Sequence, residues 1–208
     1  MLRAVRWTIA LTLGVVAAQA LAAQDLARIC TAAGKVTLGQ WATYVGTGGQ
    51  VDRETLRLAI VGSERHRDTT LYWFEINRGS EIWQLLVPDL GLDATDVRGL
   101  IVKLGTAPAM RADQLLPLLT ARMGQTNPAL EFARRCASAQ TTGWETIAVP
   151  AGAVRALHAR DAAGWEAWVS EDVPFGFVKV RMGDGGELVL TGRGTDARSS
   201  IVESVTGR

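Results

Sequence analysis

Beyond the first third of a hundred residues, apolar and polar positions alternate with a period of two, the pattern of strands that bury one face. Residues 36–46 read as the first strand, with Trp41, Thr43 and Val45 on one side and Ala42 and Tyr44 on the other. Residues 55–62 (TLRLAIVG), 69–76 (TTLYWFEI), 81–87 and 97–104 continue the pattern. It resumes over 144–149, 154–160, 165–170, 175–182 and 187–191. Turn residues punctuate these runs at 46–50, 150–152, 161–164 and 183–186, and a charged loop is expected at 63–68. The stretch AWVSEDVPFGFVKVRM, residues 167–182, looks at first like one long strand. Pro174 has no amide to give a ladder and Gly176 weakens a strand interior, so a chain reversal is expected across 171–174.

Three segments follow the helical period instead. Over residues 24–33, Leu26, Ile29, Cys30 and Ala33 share a face, and Gly34 is a stop. Residues 110–123 are Leu-rich, with Pro117 predicting a kink or a break. Residues 127–139 open with Asn127 as a cap and Pro128 in the first turn, and carry Phe132 and Cys136 on the apolar side. About ten sequential strands with short connections predict a mainly β, α+β fold. The expected form is a curved antiparallel meander, an incomplete half-barrel, with short helices over its concave face. Nothing along residues 24–208 marks a linker or a repeat, so one domain is expected there.

The N-terminus changes the setting. Arg3 and Arg6 precede an almost continuously apolar run over 7–18 and the small residues at 20–23. This is the pattern of a secretory signal peptide over residues 1–23 on the general secretion route, which places the chain in the periplasm. The apolar run is shorter than the roughly 20 residues a membrane span needs, and no later segment is long enough. Formal net charge is +1, and loss of Arg3 and Arg6 would take it just below zero. A nearly neutral chain has no electrostatic footprint for nucleic acid or for docking on anionic lipid.

Candidate chemistry is sparse. His66 lies in a polar turn and His158 in a strand, and neither has ligands at close spacing for zinc. No Gly-x-Ser-x-Gly elbow occurs, and the glycine clusters at 46–49 and 192–194 do not lead from a strand into a helix as a phosphate loop does. No catalytic residue, metal or cofactor is therefore assigned, and the chain is expected not to be an enzyme. Tryptophans and leucines on both strand faces point instead to an apolar cavity. Its candidates are Trp73, Phe74, Trp83, Leu86, Leu100, Leu115, Leu118, Trp144, Trp165, Val169 and Phe177. They project to both faces of the sheet, so some belong to plain core.

The segments GWEAWVSEDVPFGFVKVRMGDGGELVLTGRG and LRLAIVGSERHRDTTLYWFEI resemble paired strands of the periplasmic lipoprotein-localisation carriers and outer-membrane lipoprotein-sorting proteins, the LolA/LolB type. The resemblance implies an incomplete barrel whose hydrophobic concavity holds acyl chains. The function expected is a periplasmic, non-catalytic carrier or binder of lipid, lipoprotein acyl chain or another apolar ligand. The alternative is a structural or interaction module of a cell-envelope complex, with an envelope protein as partner and a filled core. A hydrolase using His66 or His158 is a distant third.

Cys30 and Cys136 are the two cysteines, each on the apolar stripe of a short helix in an oxidising compartment. A bridge between them is expected; two buried free thiols are the alternative. Closing about a hundred residues, it would stabilise the fold by roughly 4–5 kcal/mol. Non-reducing mass spectrometry of secreted material should find a single cross-linked species, and two alkylatable thiols would remove the bridge.

Overall fold

In the computed structural model the described residues are 24–90, 97–117 and 138–206. One α-helix, α1 (residues 24–33), precedes eleven strands. They are β1 (Trp41–Thr47), β2 (Thr55–His66), β3 (Thr69–Arg78), β4 (Glu81–Val87), β5 (Gly99–Leu104), β6 (Met110–Arg111), β7 (Gln140–Val149), β8 (Gly152–Arg160), β9 (Glu166–Val169), β10 (Phe177–Arg181) and β11 (Glu187–Gly194). All lie in one sheet ordered β6-β5-β4-β3-β2-β1-β11-β10-β9-β8-β7. Two antiparallel meanders are thus joined by the pairing of β1 with β11. The mainly β, open antiparallel architecture is the one expected, with eleven strands in place of about ten.

The sheet is strongly curved. β9 pairs only with Leu157–Arg160 of β8, so the tip of the β7–β8 hairpin runs past it. That tip folds back, and the Ala151 N–H donates to the Leu190 carbonyl of β11 at 3.3 Å. β8 and β11 stand three strands apart, about 14 Å in a flat sheet.

Three apolar clusters hold the layers together. The largest joins Ala42 and Tyr44, Ile60, Phe74, Leu85, Leu100, Val154, Trp168, Val178 and Leu190, so it runs from one meander to the other. A second, on the opposite face of β3–β5, contains Leu71, Trp73, Ile82, Leu86 and Ile101. In the third, Leu26 and Ile29 of α1 pack on Leu157, Ala159 and Val169 of β8 and β9. Cys30 is half-buried against this third cluster. No cysteine is free among the described residues, and Cys136 lies outside them.

Several local expectations change. β2 extends through His66 and β3 begins at Thr69, so the expected loop at 63–68 shrinks to Arg67 and Asp68. Ser63 to His66 are exposed, but their backbones pair in register with Thr69 to Tyr72, which needs no apolar side chains. Arg67 takes the left-handed turn position with φ 54°. Residues 110–123 do not begin as a helix. Met110 and Arg111 form β6 against Ile101 and Val102, and Asp113–Leu115 is a 3₁₀ turn. The Asp113 carboxylate accepts the Leu100 N–H at 2.7 Å, satisfying a donor near the sheet edge. The rest of that segment from 118, most of the helix expected over 127–139 and the leader over 1–23 fall outside the described residues.

After β11 the chain forms a strap that the strand pattern did not announce. It crosses the second face from β1 to β6. Asp196 accepts the Trp41 indole N–H at 2.8 Å, and the Trp41 ring lies against Gly192 and Gly194 of β11. It does so because Gly194 has no Cβ; one there would sit 2.6 Å from the indole nitrogen. Further on, Ile201 buries itself in the second cluster, and the Thr206 N–H donates to Ala109 O at 2.9 Å beside β6.

The strap is fixed at its middle by Glu75, a fully buried carboxylate. Oε1 accepts from Arg57 at 2.6 Å and from the Ser200 hydroxyl at 2.7 Å. Oε2 accepts from Gln84 at 2.9 Å, the Ser200 N–H at 3.0 Å and the Ser199 hydroxyl at 3.3 Å. A buried charge is tolerable only when paired and hydrogen-bonded in this way. Glu75→Ala leaves Arg57 unpaired and should cost about 3–5 kcal/mol. The strap should become the first site of proteolysis; unchanged urea unfolding and an unchanged digest would contradict the anchor.

Candidate functional site

The inner apolar face is built by register. Ile60, Phe74, Leu85 and Leu100 stand side by side on β2, β3, β4 and β5, and all four are buried. Two residues along each strand, on the same face, a second row follows: Ala42, Leu58, Ile76, Trp83 and Val102. Its middle three members are only partly buried. Leu56 and Leu188 extend this half-open border, while Tyr72 lies on the far side of the closed row, and all three pack on the main cluster. The face therefore passes from closed core to accessible apolar surface within two rows.

The reversal expected at Pro174 supplies its cover. Val173 and Phe175, on the loop between β9 and β10, are buried in the same cluster. The Phe175 ring lies 5.7 Å from that of Phe74. Phe175 and Gly176 have φ 65° and 80°, which is why β10 starts at Phe177 and not at Phe175. The Phe177 ring meets Tyr44 edge-on at 6.5 Å, and the Tyr44 hydroxyl donates to Phe177 O at 3.2 Å. Burial pushes the Tyr44 phenol far above its usual range, so it stays neutral.

The cavity candidates divide among the three clusters. Phe74, Trp83, Leu100 and Phe177 lie on the inner face. Trp73 and Leu86 face the strap instead, where the Trp73 indole donates to Glu64 at 2.9 Å. Trp144 and Val169 pack under α1, with the Trp144 indole bonded to Asp25 at 3.0 Å. Trp165 is half-buried at the entry to β9, its amide held by Asp161 at 2.9 Å. Leu115 is exposed on the 3₁₀ turn, and Leu118 lies outside the described residues.

A polar cluster that was not anticipated spans β7 to β11. His158 stacks on Trp168 with ring centroids 4.3 Å apart and planes 9° apart. Its Nδ1 lies 3.4 Å from Glu145 and its Nε2 3.4 Å from Glu166. The Trp168 indole donates to Glu145 at 2.6 Å, and Lys179 and Arg181 sit near the ring, 5.2 and 5.7 Å from its centroid. Glu166 also pairs with Arg160 and Arg181, and Glu187 with Lys179 and Arg181. Each strand contributes at least one charge or ring. The signal was in the sequence: His158 and Arg160, Glu166 and Trp168, Lys179 and Arg181 are i, i+2 pairs on shared faces. His158 is accordingly a joint between strands, with carboxylates at both nitrogens. His66, at the end of β2, is exposed. Among the described residues no group of three or more His, Cys, Asp or Glu side chains has the arrangement to hold a metal ion.

No family model and no curated protein matches the sequence. Among solved structures, a DUF1329 family protein from Desulfovibrio piger aligns over 90% of this chain and 95% of its own. Identity is 12% and the TM-score 0.33, a likeness too slight to build on. No described helix is long and apolar enough to cross a membrane.

The polar cluster fixes a pH response. The hydrogen bond from Arg160 foremost, with charges on Arg160, Arg181 and His158, holds the Glu166 carboxyl below its usual range despite its burial. Lys179 and Arg181 do the same for Glu187. Depressed carboxyls stabilise the fold above their unfolded values, and that contribution is lost as pH falls through the folded ones. Thermal unfolding should therefore drop by several degrees between about pH 5 and about pH 3. Glu166→Gln should start lower at neutral pH and fall less over the same interval. Parallel melting curves for the two proteins would contradict this.

Proposed function

We propose that this protein is a non-catalytic carrier or binder of an apolar ligand, a lipid or a lipoprotein acyl chain, acting in the periplasm. The carrying observation is the half-open row Leu58, Ile76 and Trp83 beside the closed row Ile60, Phe74, Leu85 and Leu100. An extended methylene chain laid along such a surface exchanges water for apolar contact over its length, at about 0.8 kcal/mol per buried methylene. The secretory leader pattern and the resemblance of the paired-strand segments to lipoprotein carriers support the same reading.

A second reading has its own observation. Val173 and Phe175 already fill part of the inner cluster, as a filled-core interaction module of an envelope complex requires.

Native mass spectrometry after mild extraction, with titration of a fluorescent fatty acid, separates the two. The carrier reading expects co-purifying lipid and saturable uptake. Trp83→Ala should weaken uptake several-fold, while Val202→Ala, on the exposed strap, leaves it unchanged. Absence of lipid and of uptake, together with a stoichiometric protein partner in a pulldown, would establish the module instead.

A further inference from the structure

We propose that the loop 170–176 is a displaceable plug, and that an acyl chain occupies, when bound, the place taken by Phe175 in the ligand-free chain. This rests on the carrier reading and locates the inner end of its site. Phe175 belongs to the β9–β10 connection, whereas Phe74 belongs to β3. Five steps of the sheet order separate β9 from β3, roughly 24 Å along a flat sheet. Their rings nevertheless meet at 5.7 Å. The loop therefore reaches across the hollow of the curved sheet, and its two apolar side chains close it from within.

The loop can open without disturbing the sheet. Its internal bonds run from Ser170 N–H to Gly176 O and from Gly176 N–H to Val173 O, both at 2.9 Å. Neither belongs to the ladders of β9 or β10, which end at Val169 and begin at Phe177. Its outward tethers are exposed: Arg28 pairs with Glu171, and Arg193 donates to the Asp172 carbonyl at 2.6 Å. Apart from these, Val173 and Phe175 supply its apolar contacts with the core. Phe175 takes up that position with φ 65°, a backbone conformation that is costly for a residue with a Cβ. Displacement by an acyl chain restores the apolar contact to Phe74 and frees Phe175 from the left-handed conformation. The ligand that fits is narrow, flexible and apolar over its length, as a fatty acyl chain is.

The test combines titration of a fluorescent fatty acid with amide hydrogen exchange, on the full secreted chain. Phe175→Ala, which empties the position, should bind the probe several-fold more tightly than the unaltered protein. Saturating the unaltered protein with the probe should strip protection from the Ser170 and Gly176 amides. Probe binding with those amides still protected, and no gain from Phe175→Ala, would overturn the plug while leaving the carrier reading standing. No binding to either protein would remove the carrier reading and the plug together. Should Phe175→Ala not fold, exchange in the unaltered protein decides by itself.

Discussion

Everything in this fold depends on one ladder, the pairing of β1 with β11. Without it the chain is two separate meanders; with it, they form a single sheet and share one cluster from Ala42 to Leu190. The ladder is irregular where it matters. Its register shifts between Thr43 and Tyr44, opposite Thr191, whose hydroxyl donates back to the Thr43 carbonyl at 3.1 Å. A bulge at this point sharpens the local twist of the sheet. Past it, Gly192 and Gly194 let Trp41 lie against β11, and the strap leaves toward the outer face. Glu75 then holds that strap across β2 to β4. The closing ladder and the buried carboxylate therefore act in series, one setting the curve and the other fixing it from behind.

The period-two pattern made the strands legible because most of them bury one face and not the other. It was silent on the strap, since residues 195–206 have neither period; their order comes from side chains bonding to a sheet distant in sequence. Glu75 illustrates the difficulty. Read along β3 it alternates with Phe74 and Ile76 as an ordinary solvent-facing acid, and only Ser199 and Ser200 make it core. Likewise the Leu-rich run from Met110 suggested a helix, yet its first two residues serve the edge of β5. The Pro174 reversal was readable from backbone chemistry, whereas its consequence, a phenylalanine delivered to β3, was not. That outcome required knowing how far the sheet curls.

The two halves of the sheet carry different chemistry on related surfaces. Toward β7–β11 the face around Trp168 is knitted by Glu145, His158, Glu166, Lys179, Arg181 and Glu187, so ionic pairs as well as apolar packing fix the positions of these strands. Toward β2–β4 the described side chains of the inner face are mostly apolar, with Tyr72 and Trp83 adding polar groups at its partly buried positions. His158 sits among the charges around Trp168, with Nδ1 3.4 Å from Glu145 and the buried Nε2 3.4 Å from Glu166 without a hydrogen bond.

On the carrier reading, the proposed plug accounts for a feature that would otherwise be a defect. A small glycine-rich turn between Val169 and Phe177 would close the same reversal with no steric strain at positive φ. The chain instead places phenylalanine at a left-handed position and directs it inward. As permanent core this arrangement wastes stability, because an unstrained residue elsewhere on the concave face could fill the space. As a stand-in for a ligand it has a reason. An empty apolar hollow costs free energy through lost contacts and invites association with other exposed surfaces. A strained plug covers it while remaining the weaker of two occupants, and the strain lowers the affinity a ligand needs to enter. Binding and release then require movement of one short loop, with the β1–β11 ladder and the Glu75 anchor left intact.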